Sequence, residues 1–84
     1  MRNLPMDVLR TFVTVAELGG FTPAGELLGR SQPAISLQIK RLEEQVEASL
    51  FTRKGPQFGL TPSGRKLLKY ALEILTLNDE VIAE

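Results

Sequence analysis

The run SQPAIS, residues 31–36, places two hydroxyls, an amide and a proline at the start of a segment that is otherwise typical of a helix. Capping a helix requires only one such hydroxyl, and Ser31 stands where it can supply it. Gln32 and Ser36, one helical turn apart, therefore carry hydrogen-bonding groups that the helix itself does not need. Pro33 stiffens the first turn and adds an apolar surface. We expect this stretch to bond something outside the chain.

The residue inventory excludes most catalytic chemistry. The 84 residues include no cysteine and no histidine, which rules out disulfides, thiolate nucleophiles, serine–histidine relays and the common zinc sites. There is no phosphate-cradling glycine loop and no acidic pair in an evident pocket, so we expect no enzyme, no metal and no cofactor. Apolar residues make up 43% and charged ones 24% of the chain, as in one small folded domain. With no signal-peptide core and no membrane-spanning window, we expect a cytoplasmic protein without a membrane partner.

Charge is distributed unevenly although the net charge is zero. Residues 1–29 carry two basic and three acidic side chains, and residues 70–84 carry four acidic and no basic ones. Residues 30–69 carry eight basic against three acidic side chains, a local charge of +5. Such a patch attracts polyanions, although an ordinary solvated surface explains the charge alone equally well.

The apolar pattern predicts two helices before SQPAIS. The first runs from Asp7 to Leu18 and stops at a pair of glycines. The second is short, with Thr22 as its cap and Pro23 in its first turn. Gly25, inside the second helix, is unfavourable by about 1 kcal/mol relative to alanine. It suggests close approach of a neighbouring helix, with a merely tolerated glycine as the alternative.

The third helix has two distinct faces. One is apolar and is expected in the core; it consists of Ile35, Ile39, Leu42 and Val46. The opposite face projects away from the core and carries Pro33, Leu37, Lys40, Arg41 and Glu44. Lys40 and Arg41 either contact phosphates or bases or pair with nearby glutamates, and the sequence leaves both interpretations open.

The helical spacing of apolar residues ends after the third helix. Residues 50–54 and 58–61 predict a two-stranded hairpin with a turn at GPQ. Thr61 and Pro62 repeat the cap-and-proline signal and open a last helix that reaches toward Glu84, roughly 30 Å long. This helix is apolar on more than one side, and a domain of this size can cover only its near end. The far end is expected to meet a second copy of the chain or a further domain.

These elements together describe a mainly α winged helix-turn-helix, with a three-helix core and a two-stranded β wing in residues 1–61 and a long last helix in residues 62–84. In such folds the start of the third helix enters the DNA major groove. There Gln32 can bond a base edge, most often adenine, and Ser36 a base or a phosphate. Leu37 is hypothesised to meet a thymine methyl group, with an exposed leucine that has no role as the alternative.

The sequence resembles the DNA-binding domain of the LysR-type transcriptional regulators of bacteria over nearly its whole length. The runs LRTFVTVAELGGFTPAGELLG, SQPAISLQIKRLEEQVEASLFTR and LTPSGRKLL stand in that family's order and spacing, and the middle run is the most specific. The resemblance implies sequence-specific binding of double-stranded DNA by a homodimer at an interrupted inverted repeat. A winged-helix module used for protein–protein interaction is the alternative, and a steep salt dependence would distinguish DNA binding from it.

The expected DNA contacts lie at the start and on the exposed face of the third helix and in the wing: Ser31, Gln32, Pro33, Ala34, Ser36, Leu37, Lys40, Arg53, Lys54 and Thr61. The resemblance implies that Arg53 reaches the minor groove and that the hydroxyls of Ser31 and Thr61 cap helices and touch phosphate. Many family members carry arginine at the position of Leu37, so that polar contact is absent here. The interpretation requires the polar groups of Gln32, Ser36 and Arg53 to share one side of the fold, free of internal partners.

The resemblance also implies that the last helix is a linker helix that pairs antiparallel with its twin. The residues expected in that dimer interface are Leu68, Leu72, Leu75, Val81 and Ile82. A small-molecule effector would act only through a C-terminal regulatory domain that this sequence lacks. The chain is therefore expected to be the DNA-binding portion of a longer regulator.

Overall fold

The computed structural model describes residues 3–54 and 57–83, without the side chains of residues 53, 54 and 57. Six elements follow in chain order: α1 (Met6–Leu18), α2 (Phe21–Leu28), α3 (Gln32–Val46), β1 (Phe51–Lys54), β2 (Gln57–Leu60) and α4 (Pro62–Ala83). Three helices, a two-stranded antiparallel wing and a long last helix confirm the predicted mainly α winged helix-turn-helix.

The core is one apolar cluster to which all four helices and the segment before the wing contribute. Its buried members are Leu9, Phe12, Val13, Val15, Ala24, Ile35, Ile39, Leu42, Leu50, Ala71 and Leu75. The predicted inner face of α3 is confirmed, and Val46 completes it at partial exposure. The division of the chain at residue 62 stays a prediction, but packing continues across it because Ala71 and Leu75 of α4 belong to the same core.

The wing is held against the helices by aromatic rings. All four phenylalanines of the chain take part: Phe12 of α1, Phe21 of α2, Phe51 of β1 and Phe58 of β2. Phe51 stacks on Phe58 at 5.0 Å between ring centroids, and Phe21 meets both rings edge-on at 5.8 and 5.6 Å. Such contacts contribute about 0.5–1.5 kcal/mol each beyond area burial. The hairpin is therefore docked to α1 and α2 rather than free to swing.

The start of α2 differs from the prediction. The helix begins at Phe21 after Gly20, and no side chain caps it. Thr22, expected as the cap, is the second residue of the helix, so that expectation is wrong. Pro23 still lies in the first turn, where a missing N–H leaves no intrahelical bond unmade. The glycine signals fit better, since α1 ends at Gly19 with a left-handed φ of 75°.

The hairpin is also shifted slightly from its predicted limits. Phe51 pairs with Leu60 and Lys54 with Gln57 in the antiparallel register, so Gln57, assigned to the turn, belongs to β2. Leu50, assigned to the first strand, precedes β1 and is fully buried. The predicted glycine–proline turn falls on residues 55 and 56, which lie outside the described residues.

Thr61 and Gly64 attach the start of α4 to the wing. The Thr61 hydroxyl accepts a hydrogen bond from the Gly64 N–H at 3.0 Å, which confirms the predicted cap. Gly64 is buried, and a Cβ atom there would lie 2.1 Å from the Leu50 carbonyl oxygen. Only glycine lets the first turn of α4 approach the backbone this closely.

The last helix is 22 residues long, about 33 Å at 1.5 Å per residue. Beyond its buried residues it exposes large apolar side chains, of which Leu77, Val81 and Ile82 are 62%, 72% and 77% exposed. Across the described parts of the chain, no helix combines the length and the apolar character needed to span a membrane.

Candidate nucleic-acid interface

The start of α3 is built by a side-chain cap. Ser31 adopts an extended backbone, and its hydroxyl accepts a hydrogen bond from the Ala34 N–H at 3.3 Å. Gln32 and Pro33 are the first two helical residues, and residues 31–34 are all exposed. The predicted cap is confirmed. Because Ile35, immediately after them, is fully buried, the helix is anchored while its first turn stands in solvent.

Gln32 and Ser36 form a pair on this exposed turn. The Gln32 Nε2 donates a hydrogen bond to Ser36 Oγ at 2.6 Å. The expectation that both groups are free of internal partners is therefore wrong in part, since each is the other's partner. Oε1 of Gln32 and the Ser36 proton remain for bonds outside the chain. Leu37, next along, is 49% exposed, which confirms that it projects away from the core.

The angle at which α3 leaves α2 is set by backbone contacts in the intervening turn. Gly29 ends α2 with a left-handed φ of 69°, and the Arg30 N–H donates to the Gly25 carbonyl at 2.9 Å. A Cβ atom on Gly25 would lie 2.6 Å from the Arg30 carbonyl oxygen. Gly25 therefore permits a close approach, as the sequence suggested. The approaching backbone, however, is the turn before α3 rather than a helix.

A polar network that the sequence reasoning missed ties α3 to α1. The Gln38 Oε1 accepts a hydrogen bond from Arg30 Nη1 at 2.9 Å and lies 2.9 Å from the Thr11 hydroxyl. Thr11 is 1% exposed, and its proton is shared between Gln38 and the Asp7 carbonyl, 3.1 Å away. The available signal was Thr11 itself, a polar residue within the apolar face of α1. The network fixes α3 about its own axis and holds Arg30 beside the cap.

The basic residues of α3 face solvent. Lys40 and Arg41 are exposed, and within residues 3–54 and 57–83 neither forms an ion pair. The nearest predicted competitor, Glu43, instead accepts a hydrogen bond from the Leu50 N–H at 2.8 Å and so anchors the segment before the wing. Neither cation therefore pairs with a glutamate within the described residues, and their contacts with phosphates or bases stay a prediction.

The start of β1 lies beside α3. A groove between α3 and β1 is lined by Ser36 and Lys40 on one side and by Phe51 on the other. The backbone of Arg53 pairs with Phe58 in the hairpin. The side chains of Arg53 and Lys54 are not among those described, so their DNA contacts, and the shared side required of Arg53, stay predictions.

Thr61 has a structural role that conflicts with its expected phosphate contact. Its hydroxyl donates to the Ser49 carbonyl at 2.6 Å while it accepts from the Gly64 N–H. A hydroxyl has one proton, and this one is used within the fold. In the free chain this proton is therefore not available to a phosphate, and the expected contact of Thr61 with DNA stays a prediction.

The residues expected in a dimer interface fall into two groups. Leu72 is 42% exposed, and Val81 and Ile82 are more exposed still, so these three are available to a partner. Leu68 is half-buried against the core. Leu75 is only 7% exposed and belongs to the core cluster. Its assignment to a dimer interface is wrong, because the domain itself covers that part of α4.

An ion pair marks how far along α4 the domain reaches. Both terminal nitrogens of Arg10 in α1 donate to the carboxylate of Asp79. The hydrogen bond from Arg10 holds the pKa of Asp79 below its ordinary value. The Asn78 amide and the charge of Arg10 act in the same direction, and burial opposes them. The same contact raises the pKa of Arg10. The domain thus covers more than the near end of α4.

Comparison with known proteins identifies the family. The family model for bacterial regulatory helix-turn-helix proteins of the lysR family matches residues 6–65. The chain belongs to the LysR family. Among LysR-type relatives, the transcriptional regulator PecT of Dickeya dadantii (strain 3937) is 46% identical over 81 residues, covering 96% of this chain and 26% of PecT. DgdR of Burkholderia cepacia is 43% identical over 83 residues, covering 99% of this chain and 28% of DgdR. The chain spans about a quarter of the length of these relatives.

Solved structures of LysR-family regulators share the fold. The complex of BenM_DBD with catB site 1 DNA superposes with a TM-score of 0.90 at 34% identity, covering 95% of this chain and 89% of that one. The CbnR_DBD–DNA complex gives a TM-score of 0.87 at 32% identity, with coverage of 93% and 90%. Vibrio fischeri DarR in complex with DNA gives 0.91 at 33% identity, with coverage of 98% and 28%.

Proposed function

We propose that this chain binds double-stranded DNA sequence-specifically, as the DNA-binding portion of a LysR-type bacterial transcription regulator. One observation carries the proposal: α3 buries one face in the core and presents Gln32, Ser36 and Leu37 to solvent at its start. This is the end of a helix-turn-helix that enters the major groove. The solved complexes of similar domains with DNA support it.

Each group at the start of α3 has a chemical role on a duplex. The Gln32 amide can bond both polar atoms of an adenine edge. Ser36 can donate its proton to a base acceptor or a phosphate. The Ser31 hydroxyl accepts the capping hydrogen bond from Ala34, and its proton can go to a phosphate near the helix N-terminus. Lys40 supplies positive charge along the same exposed face. Pro33 and Ala34 add close apolar contact. The resemblance adds Arg53 from the wing, and Lys54 beside it is proposed to contact a phosphate.

Leu37 is proposed to read a thymine methyl group. The leucine is half exposed on the outward face of α3, and apolar contact with this methyl is an established mode of readout. The test replaces each thymine of a bound site in turn with uracil, which lacks the methyl. Affinity should fall at one thymine per half-site for the wild-type chain and at none for Leu37→Ala. Unchanged affinity at every position would remove the role.

We further propose that two copies pair through the exposed residues of α4. Leu72, Val81 and Ile82 are large apolar side chains that the domain leaves exposed, and symmetric pairing is the commonest way to bury such side chains. Two α3 helices would then enter successive major grooves on one side of the duplex. The target would be an interrupted inverted repeat with half-sites about one helical turn (~34–36 Å) or slightly more apart.

The remaining elements of the proposal concern the longer protein. Relatives are about four times the length of the matched segment, and we propose that a small-molecule effector binds in that additional part and not to this domain. We propose that the regulator acts in the cytoplasm and lies at the nucleoid when it is bound to DNA. No catalytic step is proposed, because the chain's relatives are transcriptional regulators.

The test is selection of bound duplexes from a random pool, followed by affinity measurements over a range of salt concentrations. We expect one enriched interrupted inverted repeat, and an affinity for it that falls linearly in log–log form with a slope near −0.9 per phosphate contacted. A scrambled duplex of equal length serves as the control. If no sequence is enriched and binding does not depend on salt, DNA binding is refuted and the protein–protein role becomes the better account.

A further inference from the structure

We propose that Ser36 is a positioning residue that holds the Gln32 amide in the orientation that accepts adenine and rejects guanine. The inference rests on the proposed DNA-binding function and specifies how its central contact is made selective. It begins from the 2.6 Å hydrogen bond that Gln32 Nε2 donates to Ser36 Oγ. The two side chains lie one turn apart at the exposed start of α3, where they are neighbours.

The bonding of Ser36 differs from that of the two threonine hydroxyls of α1. Thr14 donates its proton to the Arg10 carbonyl four residues earlier, at 2.7 Å, and Thr11 can do the same with the Asp7 carbonyl at 3.1 Å. Within the described part of the chain, Ser36 makes no such bond to its own helix, and its oxygen instead accepts the Gln32 amide. Its proton remains for an acceptor outside the protein.

The orientation of the amide decides which base it fits. With one Nε2 proton on Ser36, Gln32 presents Oε1 and the second Nε2 proton side by side. The major-groove edge of adenine offers a donor, the N6 amino group, beside the acceptor N7, which matches this pair. Guanine offers two acceptors, O6 and N7, and would place O6 against Oε1. Rotation of the amide by 180° would present the NH2 group instead and suit guanine.

Ser36 can prevent that rotation once DNA is bound. When its proton is donated to a base or a phosphate, the hydroxyl oxygen can only accept a hydrogen bond. The group facing it must then be the Gln32 nitrogen and not Oε1. The side chain of a glutamine otherwise has several rotatable bonds and loses much freedom when fixed. A partner already in place in the free protein reduces that loss.

The experiment measures affinity on two duplexes that differ only at the base pair read by Gln32, identified as the position where Gln32→Ala loses its preference. The full chain is compared as wild type, Ser36→Ala, Ser36→Thr and Gln32→Ala, together with the double variant. We expect the wild type to favour adenine over guanine about tenfold. Ser36→Ala should reduce that ratio to about threefold or less, and Ser36→Thr should restore it.

The double variant separates positioning from direct contact. If Ser36 acts through the amide, Ser36→Ala changes the adenine-to-guanine ratio only when Gln32 is present. If the wild type prefers adenine and Ser36→Ala leaves the adenine-to-guanine ratio unchanged, the role of Ser36 is overturned while the proposed function stands. If Ser36→Ala weakens both duplexes equally in both backgrounds, Ser36 contributes only its own DNA contact and does not position the amide, and the proposal is also overturned. A wild type without any sequence preference would overturn the proposed function, and with it this role.

A second readout needs no DNA. In the free protein, the Nε2 proton of Gln32 that is hydrogen-bonded to Ser36 should resonate downfield of its position in a fully solvated glutamine amide. Ser36→Ala should move that proton upfield to the solvated position, and Ser36→Thr should keep it downfield. Side-chain amide spectra that are identical in the wild type and Ser36→Ala would show that the pair is absent and would overturn the proposal.

Discussion

Replacing Gly64 with alanine should displace the wing from α4 and destabilise the domain. The added Cβ would lie 2.1 Å from the Leu50 carbonyl oxygen and 2.9 Å from Leu60 Cδ2. Because Cβ contacts below 3.0 Å are essentially never seen, the two backbones must separate by about 0.9 Å. That movement breaks the 3.0 Å hydrogen bond from the Thr61 N–H to the Leu50 carbonyl. It also loosens the packing of fully buried Leu50.

The expected magnitude follows from these two effects. Overpacking a well-packed site costs about 1–3 kcal/mol, and the lost hydrogen bond about 1 kcal/mol. A total of about 2–4 kcal/mol corresponds to a drop in Tm of roughly 10–30 °C for a domain of this size. Thermal unfolding followed by circular dichroism measures it.

Gly59→Ala provides a matched control for this prediction. A Cβ atom at Gly59 would meet Thr52 Cγ2 at an ordinary 3.7 Å, and the backbone φ is not positive. Removing a glycine without strain is neutral or stabilises by up to about 1 kcal/mol. If Gly64→Ala melted within about 3 °C of the wild type, or both variants lost stability equally, the reasoning about this contact would be refuted.

Two further predictions concern α4. Leu75→Asp should unfold the chain, because it buries an unpaired carboxylate in the core. Val81→Asp should leave the helix content intact and yield monomers in sedimentation analysis. A Leu75→Asp variant that stays folded as a monomer would contradict the assignment of Leu75 to the core. The depressed pKa of Asp79 makes its pair with Arg10 stabilising above the ordinary carboxyl pKa of about 3.9, and the effect is lost as pH falls through the lower, folded value. Asp79→Asn should therefore lower Tm at pH 7, and the Tm difference should shrink as pH falls below the ordinary carboxyl pKa of about 3.9; a Tm difference that does not change with pH would contradict the assignment.

The sequence predicted those features of the fold that depend only on a residue and its neighbours along the chain. Caps need only a residue type and its immediate neighbours, so Ser31 and Thr61 could be assigned from sequence. The inner face of α3 follows from the helical period alone, as does the outward direction of Leu37. Glycines at helix ends are similarly readable, because Gly19 occupies a backbone region that other residues rarely adopt.

Other features depend on tertiary placement and could not be predicted. Leu75 and Val81 are equally apolar, and only the position of α1 shows that the core covers the first and not the second. The bond between Gln32 and Ser36 depends on side-chain rotamers that a helical wheel does not give. Thr22 has the residue type of a cap, yet the chain enters α2 earlier because Phe21 packs against Phe51 and Phe58 of the wing.

The central claim is that the start of α3 reads bases, and Gln32→Ala tests it most directly. Affinities of the wild type and the variant should be measured on the selected site and on every single-base change within one half-site. We predict that Gln32→Ala loses about 1–3 kcal/mol on the selected site and becomes indifferent to the base at one position only. An equal loss on every duplex, with the base preferences unchanged, would contradict the claim.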